Sequence, residues 1–506
     1  MHAPFQPPAT DWAAKWAIYQ AQQIAFKEHE SGRQLSYRSL NLLGNRLAVF
    51  LHQEKGLRKG DRVAVLAENC LEYLLLFVAA QKSGLILVPL NYRLAAPEIE
   101  YLLNNANVQL LLAEPQFLAK LESTSLYRKI PGLDWSSLQQ LCTEEEAMES
   151  YDDFTPANIE EDDPIFLLYT SGTTGFPKAS LYTHKMLFWN SINTAMSLVV
   201  NSESRTVNCM PPFHTGGWNV LTTPFLHHGG YTCLMKKFDA STVLRLLETE
   251  KTTIFMGVPT MLKMMAELPQ FENSDLSSLY YIIVGGESMP IPLIEQWHAK
   301  GVPIRQGYGM TEVGPNLTSL HHRDAFAKMG SIGRPNFYVQ IRIVDENGVS
   351  VPPGQSGELL LKGPMVSPGY WRNEEATAKA LQDGWFLTGD RVRMDEDGYL
   401  FVIDRIKNMF ISGGENVYPA EIERVLLEHD AVAEAAVFGV PDEKWGEVGK
   451  ALIVLKKEKV CTDSELAQYC KEVLAKFKVP KYIQLVESLP KNDTGKIDRK
   501  AIKTLA

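Results

Sequence analysis

Apolar residues recur along the chain with two periods. In 97–114, Ile99, Leu102 and Leu103 form a helical stripe, Asn104 and Asn105 are expected to break it, and 108–112 reads as a short buried strand. Stretches 60–69 and 84–94 each enter an apolar run from a glycine, again predicting buried strands. Strands separated by helices predict parallel sheets covered on both faces, an α/β class. The polar, acidic segment 116–163 reads as a surface connection. Further on, Asp397-Gly398 is a turn pair between TGDRVRM and YLFVID, predicting a hairpin. Pro419 suits a first helical turn, with Ile422, Val425 and Leu426 as the apolar stripe behind it. These signals place a boundary near 404–408. A large N-terminal domain of parallel-rich sheets covered by helices (1–404) precedes a small α+β C-terminal domain (405–506).

The 506 residues are 45% hydrophobic and 22% charged, the balance of a globular protein. Fifty basic against 60 acidic residues give a net charge of −10, which disfavours a nucleic-acid partner. The strongest apolar run, 73–80, is far short of the ~20 residues that cross a bilayer, so no integral membrane segment is expected. The first residues lack a basic start followed by an apolar core, the last four are not a peroxisomal ending, and the six cysteines are scattered without C-x-x-C. A reduced, cytoplasmic protein is the expectation. Residues 404–506 hold 17 acidic and 17 basic residues, yet the last 36 carry nine basic against four acidic. A basic tail on a small domain could approach an anionic ligand held by the large one.

The strongest chemical signal is the stretch LLYTSGTTGFPK (167–178). An apolar run feeds Thr170, Ser171, Gly172, Thr173, Thr174 and, after a further glycine, Lys178. Glycines let backbone N–H groups turn toward an anion, hydroxyls add donors, and the lysine adds a point charge, a set suited to a polyphosphate. This is not a Walker A loop, because Pro177 stands where glycine is needed and Ala179 follows the lysine. Gly307-Tyr308-Gly309 lacks the third glycine of a dinucleotide fingerprint, and neither G-x-S-x-G nor H-E-x-x-H occurs.

This loop resembles the signature of the adenylate-forming superfamily, which includes acyl-CoA synthetases, peptide-synthetase adenylation domains and firefly luciferases. The resemblance continues in order through PFHTGG (212–217), VGGESMP (284–290), QGYGMTE (306–312), TGD (388–390), DRIKNMFISGGENVYPAEIE (404–423) and PKNDTGKIDR (490–499). It implies an ATP-dependent acid–thiol ligase using Mg²⁺ and coenzyme A, with an acyl-AMP intermediate and pyrophosphate release. Tyr308 would stack on adenine beside Gly309, Thr311 would bond the α-phosphate, and Glu312 would help hold Mg²⁺. Gly285 and Gly286 would let the base approach the backbone. Glu287-Ser288 departs from the more common Ala-Pro and leaves the side-chain detail at the adenine edge open. Asp390 would accept from ribose hydroxyls and Arg405 would bond ribose or phosphate. Lys496, preceded by Thr494-Gly495 rather than the common Ser-Gly, would bridge carboxylate and α-phosphate. Lys407 would be the hinge of a mobile C-terminal domain that first delivers Lys496 and then presents Gly413 and Gly414 to a pantetheine arm.

His214 matches the aromatic gate between thiol tunnel and acyl site, where amino-acid-activating relatives carry Asp. An α-amino acid substrate is therefore disfavoured. With Gly217 leaving space, Trp218 at the mouth of an acyl tunnel and Leu221 nearby, a medium or long fatty acid is expected, and an aryl or arylpropenoic acid comes second. Helix core is the other reading of Trp218. The alternatives in acceptor and class are an acyl-AMP ligase loading a carrier-protein pantetheine and a nucleotide-binding scaffold without turnover. The pairs His227-His228 and His321-His322 read as structural, since adjacent rings should point apart and no partner stands at ligand spacing. A homodimer is possible.

Overall fold

The computed structural model describes residues 7–143, 156–170, 177–412, 415–443, 445–474, 476–492 and 496–504. A six-stranded sheet runs in the spatial order Gly132–Leu133, Leu110–Ala113, Arg62–Leu66, Ile86–Pro89, Pro164–Thr170 and Lys178–Thr183. All its neighbours are parallel except the last pair, which is antiparallel. A second sheet sets Ile24–Glu28 parallel to Tyr231–Leu234 and that strand parallel to Arg205–Asn208. In a third sheet Ile254–Gly257, Tyr281–Val284 and Ile304–Met310 are parallel, and Gly314–Ser319 turns back antiparallel. The helix Leu71–Ser83 is buried nearly all round, and its apolar run is core in place of a membrane span. No helix among the described residues is long and apolar enough to cross a membrane.

A fourth, antiparallel sheet contains the expected hairpin: Trp385–Met394 pairs with Leu400–Arg405. That sheet ends at Arg405, a short turn spans Ile406–Asn408, and a fifth sheet with its own core begins at Phe410–Ser412. Pro419 opens the helix Pro419–Glu428, whose Ile422, Val425 and Leu426 are buried as expected.

Three local expectations are corrected. The helix Ala96–Ala106 runs through Asn104 and Asn105 and ends on Asn107, which caps it at φ 52°. An asparagine tolerates that left-handed position, so the stop falls there. The segment 116–163 is not only surface: Gly132–Leu133 joins the sheet, and Trp135 and Leu138 enter the core. The histidine pairs do not point apart, since their ring centroids lie 4.5 Å (His227, His228) and 4.1 Å (His321, His322) from one another. His227 is nevertheless structural: it stacks on Trp12 at 4.0 Å and its Nδ1 lies 2.9 Å from Ser191 Oγ. All six cysteines are free and buried.

Candidate active site

The ends of three strands bring the singled-out residues together. Pro164–Thr170 delivers Thr170, and Lys178 opens the antiparallel return strand opposite it. Ser171, Gly172, Thr173 and Thr174 lie outside the described residues, as do Gly413 and Gly414. Ile304–Met310 carries Tyr308 and Gly309 to a single turn, Thr311–Val313, that holds Thr311 and Glu312. Gly309 cannot be replaced cheaply, because a Cβ there would lie 2.1 Å from the Pro315 carbonyl oxygen.

Glu312 Oε1 accepts from Tyr370 Oη at 3.0 Å and from Thr170 Oγ1 at 3.3 Å, which ties the signature strand to the Glu312 turn. Tyr370 was not legible as a site residue. Its signal was the Ser-Pro-Gly turn before it, and its ring also lies 5.6 Å from Lys178 Nζ. Glu312 is an oriented carboxylate, and no cluster of three or more metal-ligating side chains occurs among the described residues. A single oriented carboxylate fits Mg²⁺, which takes one or two carboxylates plus substrate phosphates.

Asp390 is buried, with both oxygens engaged: Oδ1 lies 2.6 Å from Arg405 Nε and Oδ2 accepts from Tyr308 Oη at 2.5 Å. Burial raises the Asp390 pKa against the pull of Arg405, and burial followed by Asp390 raises that of Tyr308. A carboxylate has about four lone-pair sites, so two acceptor positions remain on Asp390.

Lys496, from the C-terminal domain, reaches across the boundary. Its Nζ donates to the Gly286 carbonyl at 2.7 Å. Gly286 needs its freedom, at φ +87° with Lys496 Nζ only 3.3 Å from where a Cβ would stand. Burial lowers the Lys496 pKa, and Glu287 opposes that shift. Lys407 sits in the inter-sheet turn, exposed, and partial desolvation, then Arg405, lower its pKa. His214 precedes the short helix Thr215–Asn219. Burial, then Lys496 and Arg93, lower its pKa to about 4, and its Nε2 is buried without a partner among the described residues.

The expected acyl-tunnel residues are placed differently. Trp218 packs against Phe77, Phe166 and Tyr73, with centroids 5.2–5.4 Å away, and its indole donates to the Pro212 carbonyl at 2.7 Å. It is a core residue, not a tunnel mouth. Gly217 leaves no space for substrate, because a Cβ would stand 2.3 Å from the Pro211 carbonyl oxygen. Leu221 lies in a separate apolar cluster with Phe225 and Ile283. Side chains near His214 and Gly286 include Phe213, Met210 and Val258, with Met210 Cε 3.8 Å from a Cβ position on Gly216 and Val258 Cγ1 3.9 Å from one on Gly286.

A strand ending on Thr170 opposite Lys178, an oriented carboxylate, a Tyr–Asp–Arg group and a lysine supplied by a second domain are the parts of a two-domain enzyme that binds a nucleotide and activates a carboxylate. A profile of AMP-binding enzymes matches residues 10–371, and one of their C-terminal domain matches 421–496. The chain is 38% identical to a feruloyl-CoA synthase of Amycolatopsis over 488 residues, covering 95% of this chain and 96% of that protein. It is 36% identical to the long-chain-fatty-acid–CoA ligase FadD13 of Mycobacterium tuberculosis, covering 94% and 93%. The o-succinylbenzoate CoA synthetase of Bacillus subtilis, solved with its acyl-adenylate, superposes with a TM-score of 0.86 at 33% identity over 98% of each chain, and was also solved with ATP and magnesium. The protein belongs to the AMP-binding enzyme family and is an AMP-forming acid–CoA ligase.

Proposed function

We propose that this ligase activates a monocarboxylic acid with an uncharged, apolar body, a medium or long fatty acid first. The observation that supports this most is the gate region. His214 is held uncharged beside Phe213, with Met210 and Val258 near the same turns, an apolar and neutral set whose nearby cations are Lys496 and Arg93, the latter 5.6 Å from the Phe213 ring. An arylpropenoic acid is the second reading, favoured by the identity to a feruloyl-CoA synthase.

The physical problem is to bring a carboxylate to a triphosphate. Two like charges 4 Å apart repel by about 4 kcal/mol at an effective dielectric near 20. In the first half-reaction a carboxylate oxygen bonds to the α-phosphorus as the bond to pyrophosphate breaks. Lys496 bridges carboxylate and α-phosphate, and Thr170, Lys178 and Thr311 add donors where charge builds. Glu312 would hold Mg²⁺, which neutralises phosphate charge when bound. Tyr308 and Gly309 sit against the base with Gly285 and Gly286, while Asp390 and Arg405 engage ribose. In the second half-reaction the CoA sulfur attacks the acyl carbon, the bond to AMP breaks and the thiol loses its proton. A swing of the C-terminal domain (405–506) about Lys407 withdraws Lys496 and presents the Gly413–Gly414 loop. Pyrophosphate release from a panel of fatty, aryl and dicarboxylic acids, with and without CoA, tests the reading. A preference for diacids would overturn it.

A further inference from the structure

The residue after Gly286 is a carboxylate, and its position relative to the catalytic lysine has a function of its own. Glu287 stands in the turn between the strand Tyr281–Val284 and the helix Ile291–Ala299 of the large domain, exposed at the cleft. Lys496 Nζ is bonded to the carbonyl of the preceding residue. The Glu287 side chain therefore springs from within about 6 Å of that ammonium, given standard backbone dimensions.

Two cations that flank Lys496 in the chain have partners within the small domain. Lys491 pairs with Glu434 at 2.9 Å, and Arg499 pairs with Glu423 at 2.8 Å and donates to the Val437 carbonyl at 3.0 Å. Lys496 makes no ion pair within 4 Å among the described residues. Its backbone is fixed by a two-way contact with Asn492: Lys496 N donates to Asn492 Oδ1 at 3.1 Å, and Asn492 N donates to the Lys496 carbonyl at 2.7 Å. Lys496 thus turns its ammonium toward the large domain, with no ion-pair partner from its own domain among the described residues. The charged groups that act on it are Glu287, Arg405 and Asp390, and it acts in turn on His214. Asp390 already serves Arg405 and Tyr308. Glu287 is the carboxylate left to receive the lysine, and it also feels Arg499 and Lys491.

We propose that Glu287 is a positioning residue: an electrostatic anchor on the large domain that draws the small domain's Lys496 into the cleft and keeps it there, charged, for the adenylate-forming half-reaction. This rests on the two-half-reaction reading above. Attraction between unit charges in a partly water-excluded cleft exceeds that in bulk water several-fold, enough to bias a domain equilibrium. Glu287 does not touch the nucleotide in this role. It acts only while Lys496 is docked and contributes nothing once the small domain has swung away.

The test compares Glu287→Gln and Glu287→Asp with the wild type in two assays: acid-dependent exchange of labelled pyrophosphate into ATP, and thiolysis of supplied acyl-AMP by CoA. Glu287→Gln is expected to lower kcat for exchange about tenfold, with KM for ATP changed less than twofold and thiolysis unchanged or faster. The basic limb of its exchange pH profile should move to lower pH, because Lys496 loses the group that favours its protonated form. Glu287→Asp should recover most of the exchange rate. Raising NaCl from low to about 0.5 M, where the screening length falls below ~5 Å, should slow wild-type exchange more than that of Glu287→Gln. A rise in KM for ATP with kcat intact would overturn the proposal and place Glu287 at the nucleotide. So would equal loss in both half-reactions, or wild-type exchange kinetics in the glutamine variant. Absence of exchange in the wild type would instead sink the two-step reading itself.

Discussion

At the scale of the residue, proximity decides roles that residue type leaves open. Lys496 was legible from its motif, but only the fold shows its ammonium crossing between domains to the Gly286 carbonyl. Lys496→Ala is expected to depress acid-dependent pyrophosphate exchange ~10²-fold or more, the scale for losing one transition-state donor, while thiolysis of supplied acyl-AMP is largely spared. Trp218 shows the opposite relation. Its motif suggested substrate contact, yet it sits in an aromatic core with Phe77, Phe166 and Tyr73. Trp218→Ala should therefore destabilise the large domain by about 3–5 kcal/mol, read as a lower urea midpoint. Trp218→Phe should leave the chain-length profile of the acid panel unchanged. Tyr370 was missed because a tyrosine after Pro-Gly has no chemistry of its own until the fold sets it on Glu312.

At the scale of the element, the first helix shows how one buried pair fixes a whole segment. Trp12–Tyr19 is weakly amphipathic, and Asp11 serves it twice. Its Oδ1 accepts from Ala14 N at 3.1 Å as an N-cap, and its Oδ2 meets Lys82 Nζ at 2.7 Å, with both side chains almost fully buried. Lys82 also donates to Asn41 Oδ1 at 2.7 Å, so three helices share one ammonium. Burial lowers the Lys82 pKa and Asp11 offsets that shift. Removing one partner strands the other charge in the interior. Asp11→Ala is expected to cost about 3–5 kcal/mol from the ion pair and about 1 more from the cap. Early proteolysis before residue 25, at native concentrations of ATP and salt, would report the detached helix. Wild-type protease resistance in this variant would refute the account.

At the scale of the whole molecule, two domains and a set of buried imidazoles set the response to conformation and pH. Lys407 sits in the turn that joins the fourth and fifth sheets. Lys407→Pro, which fixes φ there, is expected to slow thiolysis at least tenfold and leave exchange within a few-fold of wild type, the reverse of Lys496→Ala. Equal loss of both half-reactions in both variants would refute the hinge. Burial holds His184 and His214 at about 4 and His227 at about 3, against an ordinary value of 6.5. In the unfolded chain these rings gain protons below pH 6.5, while in the native state they stay neutral to near pH 4. The unfolded state then binds more protons, so stability is complete above 6.5 and is lost as pH falls toward 4. The slope approaches 1.4 kcal/mol per pH unit for each histidine. Denaturant midpoints at pH 7.5, 6 and 5 should fall in that order.

The amino-acid sequence by itself determined what is written in local spacing and residue type: the α/β class, the hairpin about Asp397-Gly398, the Pro419 helix start, and the ordered motifs carrying Thr170, Lys178, Tyr308, Glu312, Asp390 and Lys496. These are short-range properties, fixed by backbone preferences and by the chemistry a polyphosphate demands. Tertiary structure alone decided which side chains share a space. It put Trp218 and Gly217 into packing, Tyr370 onto Glu312, Asp390 between Tyr308 and Arg405, and Lys496 onto the Gly286 carbonyl across 209 intervening positions in the chain. Contact between distant residues depends on how sheets and domains stack, and no local pattern of hydrophobic and polar positions encodes it.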